Sequence, residues 1–202
     1  MYTLLLAVIY LAFISLGLPD SLLGAGWPVM HEFFGVSLSS AGIVSMLISG
    51  GTIVSSLASE RITKRFGTKY VTLISVALTS AALFGFSLSA HFFIICLWAI
   101  PYGLGAGSID AALNNYVALH YNSRHMSWLH CFWGVGTIIS PYVMSRALTY
   151  ADWQTGYRTV GGIQLGIAVV ILFTLRLWRI NEDNNKNDEY EINKIGRASC
   201  RE

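Results

Sequence analysis

The 202-residue chain is 54% hydrophobic and only 12% charged, and its mean hydropathy is +0.55. A soluble globular domain needs a more polar surface than this composition allows, so the sequence indicates a membrane protein with a lipid bilayer around it. The formal net charge is +2, and the basic residues are dispersed rather than gathered in a patch. We therefore expect no binding of nucleic acid.

Six apolar stretches are long enough to cross a hydrocarbon core, which takes about 20 residues of α-helix. They are rich in Leu, Ala and Ile and lack the alternation of membrane β-strands, so the fold class is predicted to be all-α, a bundle of six transmembrane helices. The stretches lie near residues 2–30, 38–59, 70–90, 92–120, 126–150 and 155–178. The first begins without Lys or Arg and is too long for a signal peptide, so we expect a retained helix.

Basic residues predict the orientation of the bundle. They concentrate in three places that lie on the same side: after the second stretch, after the fourth and at the end of the sixth. These residues are Arg61, Lys64, Arg65, Lys69, Arg124, Arg176 and Arg179. Because cytoplasmic connections are enriched in Lys and Arg, we expect an inner (plasma) membrane protein with both termini in the cytoplasm.

The chain changes character after the sixth stretch. Residues 181–193 are polar and carry no apolar stripe, which is typical of a cytoplasmic linker. Residues 194–202 resemble one reading frame of a common sequencing adapter. We therefore expect a non-native tail at which the natural reading frame is cut; the alternative is an ordinary disordered tail.

Asp110 is the strongest candidate for a functional residue inside the membrane. An acidic side chain is costly in hydrocarbon, so it normally faces a cavity or a partner. At 100° per residue, Asp110 shares one helix face with Gly103, Gly107 and Asn114. This small and polar stripe should face protein or water.

The fifth stretch carries a similar face, on which His130 can point inward beside Asp110, with Trp133 at its flank. Its members are Ser127, His130, Gly134, Thr137 and Pro141. The first stretch has a third such face, with Asp20 at its edge and Trp27 near its outer end. That face consists of Gly17, Ser21, Gly24 and Pro28.

Each of these residues also has a purely structural interpretation. Gly103 and Gly107 can serve close helix packing, and His130 can be a neutral imidazole bonded to a neighbouring helix. Tryptophans at helix ends can be interface anchors or core residues. Asp20 and Asp110 can be hydrogen-bonded structural acids. Their functional interpretation is proton binding, because loss of water around a carboxyl group favours its protonated form.

Enzyme chemistry and cofactors have little support. Gly103 to Gly107 form a glycine-rich run, but no strand precedes it and it lies at membrane depth, so a nucleotide loop is not expected. The three cysteines have no metal-ligand spacing. An intramembrane hydrolase would need a serine near a histidine, and Ser108 and His130 are the nearest candidates. We expect no enzyme activity, no metal and no cofactor.

The segment from Gly103 to Val117, with its glycines, Asp110, paired alanines and Asn114, resembles the fourth helix of the fucose and glucose proton symporters of the major facilitator superfamily. The resemblance extends over roughly residues 1–180. It implies that Asp110 is the proton-coupled acid. It also implies that His130 stands where the family has a sugar-contacting polar residue, often Gln.

The same resemblance shows two departures from the family pattern. Its first-helix acid falls on Gly24, whereas Asp20 lies one turn earlier. The conformational loop between helices two and three is similar to Arg65-Phe66-Gly67-Thr68-Lys69, but its usual Asp falls on Lys64. The resemblance further implies two inverted three-helix repeats and a missing C-terminal half of six more helices, with solute bound between the halves.

From these observations we expect a fragment of a secondary transporter that couples protons to uptake of a sugar or sugar-like solute. Asp110 carries the proton, and Asp20 assists. The expected solute-binding residues are Asn114, Asn115, His130, Trp133 and Trp27. The alternatives are a proton-coupled drug or metabolite exporter of the same superfamily, the hydrolase, and a complete six-helix scaffold protein.

Overall fold

The computed structural model describes residues 2–199, and the side chains of residues 4–175 and of Trp178. Within this range the chain folds into helices joined by short connections, without a strand, which confirms the all-α prediction. The elements are α1 (Tyr2–Asp20), α2 (Leu22–Phe34), a 3₁₀ turn (Leu38–Ser40), α3 (Ala41–Phe66), α4 (Thr68–Ser87), α5 (Phe92–His120), α6 (Ser123–Tyr150) and α7 (Trp153–Ser199).

Five spans in the described part are long and apolar enough to cross a membrane, and α1 with α2 forms the first of them. The remaining helix, α6, has 28 residues and is long enough, since a helix rises about 1.5 Å per residue. It has no membrane-length run as apolar as those of the five spans, because one of its faces carries Ser, His and Thr residues. That polar face includes His130, which lines a cavity inside the bundle.

The first predicted helix is divided in two at Ser21, immediately after Asp20. Pro19 explains the division, because proline has no N–H to donate to the carbonyl one turn earlier and disturbs the helix there. The chain remains close to helical through the break, since the Ala25 N–H donates to the Ser21 carbonyl at 3.1 Å. Asp20 therefore lies at the end of α1 rather than in the middle of a continuous helix.

The carbonyl that Pro19 leaves without a helical donor belongs to Ser15. Gln164 of α7 supplies the missing donor. The Gln164 Nε2 donates to the Ser15 carbonyl oxygen at 2.6 Å, and both residues are buried. A buried carbonyl without a partner is costly, particularly in a membrane. Gln164 therefore stabilises the end of α1 that carries Asp20.

The expected loop between the second and third helices is a single residue, Gly67. Its φ of 81° is in the left-handed region that favours glycine. Arg65 belongs to the last turn of α3 and Lys69 to the first turn of α4, so the predicted end of the second helix at residue 59 is seven residues too early. The polar sequence of this turn suggests a loop, although its residues are compatible with helix.

Helix α7 also differs from the prediction, because its backbone continues through the expected linker at 181–193 as far as Ser199. No proline or glycine occurs from residue 167 to residue 195, so nothing in the sequence stops the helix there. Residues 200–202 of the expected non-native tail lie outside the described residues. At its other end, α7 begins after Asp152, whose carboxylate accepts hydrogen bonds from the hydroxyl and the N–H of Thr155, both at 2.7 Å. These bonds hold the pKa of the Asp152 carboxyl below its usual value.

The helices pack in the spatial order α3, α5, α4, α7, α1, α6. Helix α4 lies between α5 and α7, and more than half of its residues are buried. The first, second and third membrane helices (α1 with α2, α3 and α4) correspond to the fourth, fifth and sixth (α5, α6 and α7). When each helix is replaced by its counterpart, the same order results, read backwards. This is the packing that two inverted three-helix repeats produce.

Glycines set the two outer contacts of this arrangement. A Cβ on Gly17 would collide with the carbonyl oxygen of Trp133, where α1 meets α6. A Cβ on Gly103 would collide in the same way with the carbonyl oxygen of Ile48, where α5 meets α3. The helix backbones are thus in direct contact, which is the packing interpretation given above for small residues.

Two buried apolar clusters fill the bundle. One contains Leu5 to Leu16 of α1 and Ala106 to Val117 of α5. The other contains Leu18 and the buried residues of α2, together with Ile95 to Tyr102 of α5. The boundary between the clusters falls between Leu16 and Leu18 on α1, one turn before Asp20, and between Tyr102 and Ala106 on α5, and the polar residues gather close to this level.

The bond between Gln164 and Ser15 gives a testable prediction. Replacing Gln164 with Leu should lower the free energy of unfolding by about 1–3 kcal/mol, because the Ser15 carbonyl loses its donor. In a Pro19→Ala background the loss should be smaller, since the substituted alanine has a backbone N–H that can donate to the same carbonyl. Denaturant titration of the four proteins in mixed micelles measures the coupling. Equal losses in both backgrounds would contradict this account of the Pro19 break.

The glycine contacts give a second prediction. Gly17→Ala and Gly103→Ala should each destabilise the bundle by about 1–3 kcal/mol, because the added methyl group meets backbone that cannot move aside cheaply. Gly134→Ala and Gly50→Ala are matched controls on α6 and α3, where a Cβ meets no atom within 4 Å. Thermal unfolding of the purified variants in detergent should give a lower unfolding temperature for Gly17→Ala and Gly103→Ala than for the two controls.

Candidate functional site

Four of the residues singled out in the sequence line one cavity of about 320 Å³. They are Asp20, Asp110, His130 and Trp133, and they come from α1, α5 and α6. Helix α3 closes another side of the cavity with Ile48 and Thr52. The remaining lining side chains are Phe13, Leu16, Tyr102 and Ala106.

Asp20 is held by donors from two other helices. The Tyr102 hydroxyl of α5 donates to one carboxylate oxygen at 3.1 Å, and the indole N–H of Trp133 of α6 donates to the other at 2.8 Å. Tyr102 is buried, whereas Trp133 is 39% exposed and borders the cavity. The carboxyl group of Asp20 therefore connects three helices at the cavity wall.

Asp110 has a local partner. The side-chain amide of Asn114, one turn later on α5, donates to an Asp110 carboxylate oxygen at 3.0 Å. The other oxygen has no hydrogen bond among the described residues, so it is open to a ligand in the cavity. Asn114 thus acts on the cavity through Asp110 rather than by lining it.

His130 faces the cavity from α6. Its imidazole packs edge-on against the Phe13 ring, with 6.2 Å between the ring centres. It makes no hydrogen bond to another described residue, so the structural interpretation of an imidazole bonded to a neighbouring helix does not apply within this part of the chain. Both ring nitrogens are available to a ligand or to water.

Trp27 and Asn115 lie away from this cavity. The Trp27 indole is 3% exposed and donates to the Leu38 carbonyl at 2.7 Å, which fastens α2 to the turn before α3. Asn115 is exposed and lines a separate groove of about 520 Å³ between α3, α4 and α5, together with Glu60 and Lys64. Asn115 and Asn114 are neighbours in sequence, but they are separated by about 100° around the helix.

The residues of the expected conformational loop are also outside the cavity. Arg65 lies over the Phe66 ring at 5.6 Å, and Lys69 lies over the Tyr70 ring at 5.2 Å. Gly67 forms the turn between them. These residues sit at one end of the bundle, at the connection of α3 and α4.

Sequence reasoning misses two polar residues of the cavity wall, Tyr102 and Thr52. Tyr102 resembles any other apolar aromatic residue of a membrane helix, and its importance depends on a partner that lies on another helix. Thr52 is one of several hydroxyl residues on α3; its hydroxyl donates to the Ile48 carbonyl at 3.0 Å and to the Gly103 carbonyl at 3.3 Å. Pro101 beside Tyr102 is the available signal, because a helix around an intramembrane proline often needs polar partners.

The geometry does not form a hydrolytic pair among the described residues. Ser108 does not line the cavity that contains His130. Its carbonyl accepts a hydrogen bond from the Ser59 hydroxyl at 3.5 Å, in the contact between α5 and α3. The described residues also contain no group of three or more His, Cys, Asp or Glu side chains that could hold a metal ion.

The cavity has a defined chemical character. Among the described residues that line it, the titratable side chains are two carboxyl groups, one imidazole and one phenol, and none is Lys or Arg. Aromatic and aliphatic surfaces make up the rest of the wall. A cavity of this kind, between helices that cross the membrane, defines the chain as a helical membrane protein with an internal polar site.

The family follows from comparison with known proteins. The sequence profile of the Major Facilitator Superfamily matches residues 9–196, and the chain belongs to that family. This is a family of transporters, which agrees with the expectation that the chain is not an enzyme. The match does not identify the fucose and glucose symporter branch.

Three characterised proteins are similar to the chain. Bypass of stop codon protein 6 of Saccharomyces cerevisiae is 25% identical over 70% of the chain and 29% of its own length. The 4-hydroxybenzoate transporter PcaK of Acinetobacter baylyi is 23% identical over 79% of the chain and 36% of its own length. The glucose/mannose transporter GlcP of Bacillus subtilis is 20% identical over 73% of the chain and 37% of its own length. The chain spans about a third of the length of these relatives.

The hydrogen bonds of Asp20 give a third prediction. Asp20→Ala should lower the free energy of unfolding by about 1–3 kcal/mol, because the buried Tyr102 hydroxyl and the Trp133 indole both lose their acceptor. Asp20→Asn keeps one oxygen acceptor, so its loss should be smaller. Denaturant titration in mixed micelles measures both. An equal loss for the two variants would show that the oxygen acceptor kept by Asp20→Asn contributes nothing to stability.

Proposed function

We propose that the whole protein is a proton-coupled symporter of a sugar or a similar polar solute, working by alternating access. The observation that supports this most is that Asp110, Asp20, His130 and Trp133 line one cavity within the membrane helices. Acidic groups at such a depth are expensive and usually mark an ion or solute pathway. The resemblance of the segment around Asp110 to proton symporters agrees with this.

Asp110 is the proposed carrier of the proton. One of its oxygens is bonded to Asn114 and the other is open to the cavity, so a proton and a solute hydroxyl can reach the same group. When the cavity closes and water leaves, the neutral form is favoured; when it opens, the charged form is favoured. Solute binding and proton binding can be coupled through this one carboxyl group.

Asp20 is proposed to assist the proton coupling that Asp110 carries. Its two hydrogen bonds hold Tyr102 of α5 and Trp133 of α6 toward α1. A change of charge on Asp20 would alter both bonds together, and with them the relation of three helices at the cavity wall. Trp133 and His130 are the proposed solute contacts, since both border the cavity and an indole face suits the apolar face of a sugar ring.

A neutral solute fits the cavity better than an anion. Among the described residues, the cavity wall contains two carboxyl groups and no Lys or Arg, so a carboxylate solute would meet like charges with neither of these cations to offset them. The relative named as a glucose/mannose transporter supports a sugar, whereas the relative named as a 4-hydroxybenzoate transporter supports an aromatic acid. Between these two solutes, the charge of the cavity favours the sugar.

An exporter of the same superfamily is the second candidate. Two acids beside aromatic rings also suit an amphipathic cation, and the absence of Lys and Arg from the cavity wall would not oppose one. The two proposals differ in the direction of proton movement that the solute causes. Symport carries protons inward with the solute, and antiport carries them outward when the solute enters.

The proposed setting is the cell inner membrane with both termini in the cytoplasm. Basic residues at the connection of α3 and α4 support this orientation, because Lys and Arg favour the cytoplasmic side. A second six-helix half is the proposed partner, since one half supplies only one wall of a site that lies between two halves. The exposed apolar faces of α3 and α6 are available for it and for lipid.

The test is a measurement of sugar-induced alkalinisation in a transport-deficient bacterium that expresses the complete reading frame. Wild type should alkalinise the medium when sugar is added. Asp110→Asn should abolish the proton movement while sugar binding and exchange of sugar across the membrane persist, because the amide cannot carry the proton. Asp152→Asn is the control, since it also removes a carboxyl group but lies outside the cavity and keeps a helix-capping side chain.

The outcomes separate the candidates. Loss of proton movement in Asp110→Asn with retained exchange supports symport with Asp110 as the coupling residue. Acidification on addition of an amphipathic cation, with no response to sugars, would favour the exporter. Full coupling in Asp110→Asn would contradict the proposed role of this residue.

A further inference from the structure

A second chamber of about 140 Å³ adjoins the main cavity. Asp20, Ile48 and Tyr102 line both spaces and therefore form the wall between them. Behind that wall the chamber is bordered by aliphatic and aromatic side chains, among them Leu83 and Phe86. None of the functional assignments above uses this space.

The chamber has the size of one six-membered ring. An engineered protein cavity of about 150 Å³ with an apolar lining is known to bind benzene. The present chamber is of similar volume, and most of its wall is apolar. A ring that enters it would leave water on the sides that face this apolar wall, which favours apolar over polar groups.

Five of the ten described residues that line the chamber carry a polar side-chain atom, but Asp20 and Tyr102 are already bonded to each other. One of the other three has no partner within the described part of the chain. The Tyr157 side chain is 2% exposed, and its ring packs edge-on against Phe86 with 5.4 Å between the ring centres. Its hydroxyl makes no hydrogen bond to another described residue. Ser45 and Ser49 of α3 lie at the exposed rim. A sugar ring carries hydroxyls all around it and would leave several unpaired here, whereas a phenyl or hydroxyphenyl ring would not.

We propose that this chamber is a subsite for an aromatic ring attached to the transported solute, so that aryl glycosides are among the solutes. This inference rests on the proposed function, because the sugar part occupies the main cavity. The aryl group lies in the chamber, and a hydroxyl at its para position meets the Tyr157 hydroxyl. The chamber thereby favours aryl glycosides over sugars without an aryl group, a preference that the main cavity alone would not produce.

The wall between the two spaces can open without leaving Asp20 unsatisfied. It is held by the hydrogen bond from the Tyr102 hydroxyl to Asp20, at 3.1 Å. A hydroxyl of the sugar can donate to the same oxygen when Tyr102 moves aside. The solute then replaces the donor that it displaces, and the linkage to the aryl group passes between the two residues.

The test compares inhibitors of sugar uptake by the complete protein. Methyl glucoside, phenyl glucoside and 4-hydroxyphenyl glucoside share the sugar and differ only in what the chamber would receive. Phenyl glucoside should inhibit at a concentration at least about tenfold lower than methyl glucoside, because a buried ring gains that much from leaving water. The 4-hydroxyphenyl compound should gain about threefold more from a hydrogen bond in the chamber.

Two variants link the preference to the chamber. Ser49→Leu adds bulk at the rim and should bring the ratio of methyl to phenyl glucoside concentrations toward one. Gly50→Leu is its control: Gly50 is the next residue of α3, it is exposed, and it does not line the chamber. Tyr157→Phe should keep the preference for phenyl and remove the additional gain of the 4-hydroxyphenyl compound.

The outcomes distinguish this inference from the proposed function. If methyl glucoside and glucose are transported but phenyl glucoside shows no advantage, the subsite is refuted and the symporter proposal stands. An advantage that survives Ser49→Leu as fully as Gly50→Leu would also refute the subsite. If no sugar or glycoside is bound at all, the proposed function itself fails. Inhibition by phenol as strong as by phenyl glucoside would overturn the glycoside as the occupant.

Discussion

The structure depends on two places where helix backbones touch. At the α1–α6 and α3–α5 contacts, Gly17 and Gly103 lie directly against carbonyl groups of the facing helix. These contacts bring the helix axes close together on both flanks of the bundle. The cavity occupies the space between the two pairs, so its width is fixed by residues that have no side chain.

Around this frame, several costly polar groups of the interior each have a partner. Gln164 donates a hydrogen bond to the Ser15 carbonyl, which Pro19 leaves without a helical donor, and Thr52 donates to the Gly103 carbonyl of α5. Asp20 accepts hydrogen bonds from the Tyr102 hydroxyl and the Trp133 indole N–H. Two groups remain open toward the cavity, one oxygen of Asp110 and the imidazole of His130, and they are therefore available for chemistry. Pairing of this kind matters in hydrocarbon, because no water is present to satisfy what the protein leaves unpaired.

Much of the fold is predictable from the sequence, because membrane helices are recognisable by length and composition. Helical periodicity also places Asp20, Asp110, His130 and Trp133 on inward faces, and they meet at one cavity. Periodicity assumes a constant phase, however, and Pro19 breaks the first helix before Trp27.

Contacts between helices are harder to predict, because spacing along one helix does not encode a partner on another. Tyr102 is therefore indistinguishable in the sequence from an ordinary aromatic residue of a membrane helix. Helices α3 and α7 extend beyond the predicted membrane stretches for a different reason. Polar residues indicate where a helix leaves the membrane, but they do not end it when no proline or glycine follows.

The one-residue connection at Gly67 has a mechanical consequence. Helix α4 is enclosed between α5 and α7, whereas α3 borders the cavity and is exposed over most of its length. Since a single residue joins them, the Phe66 end of α3 is tied to an enclosed neighbour. Its Ala41 end follows a longer connection with a 3₁₀ turn and has more freedom. Helix α3 is thus held at Gly67 and again where its Ile48 carbonyl meets Gly103, so displacement is easiest at the Ala41 end beyond both points.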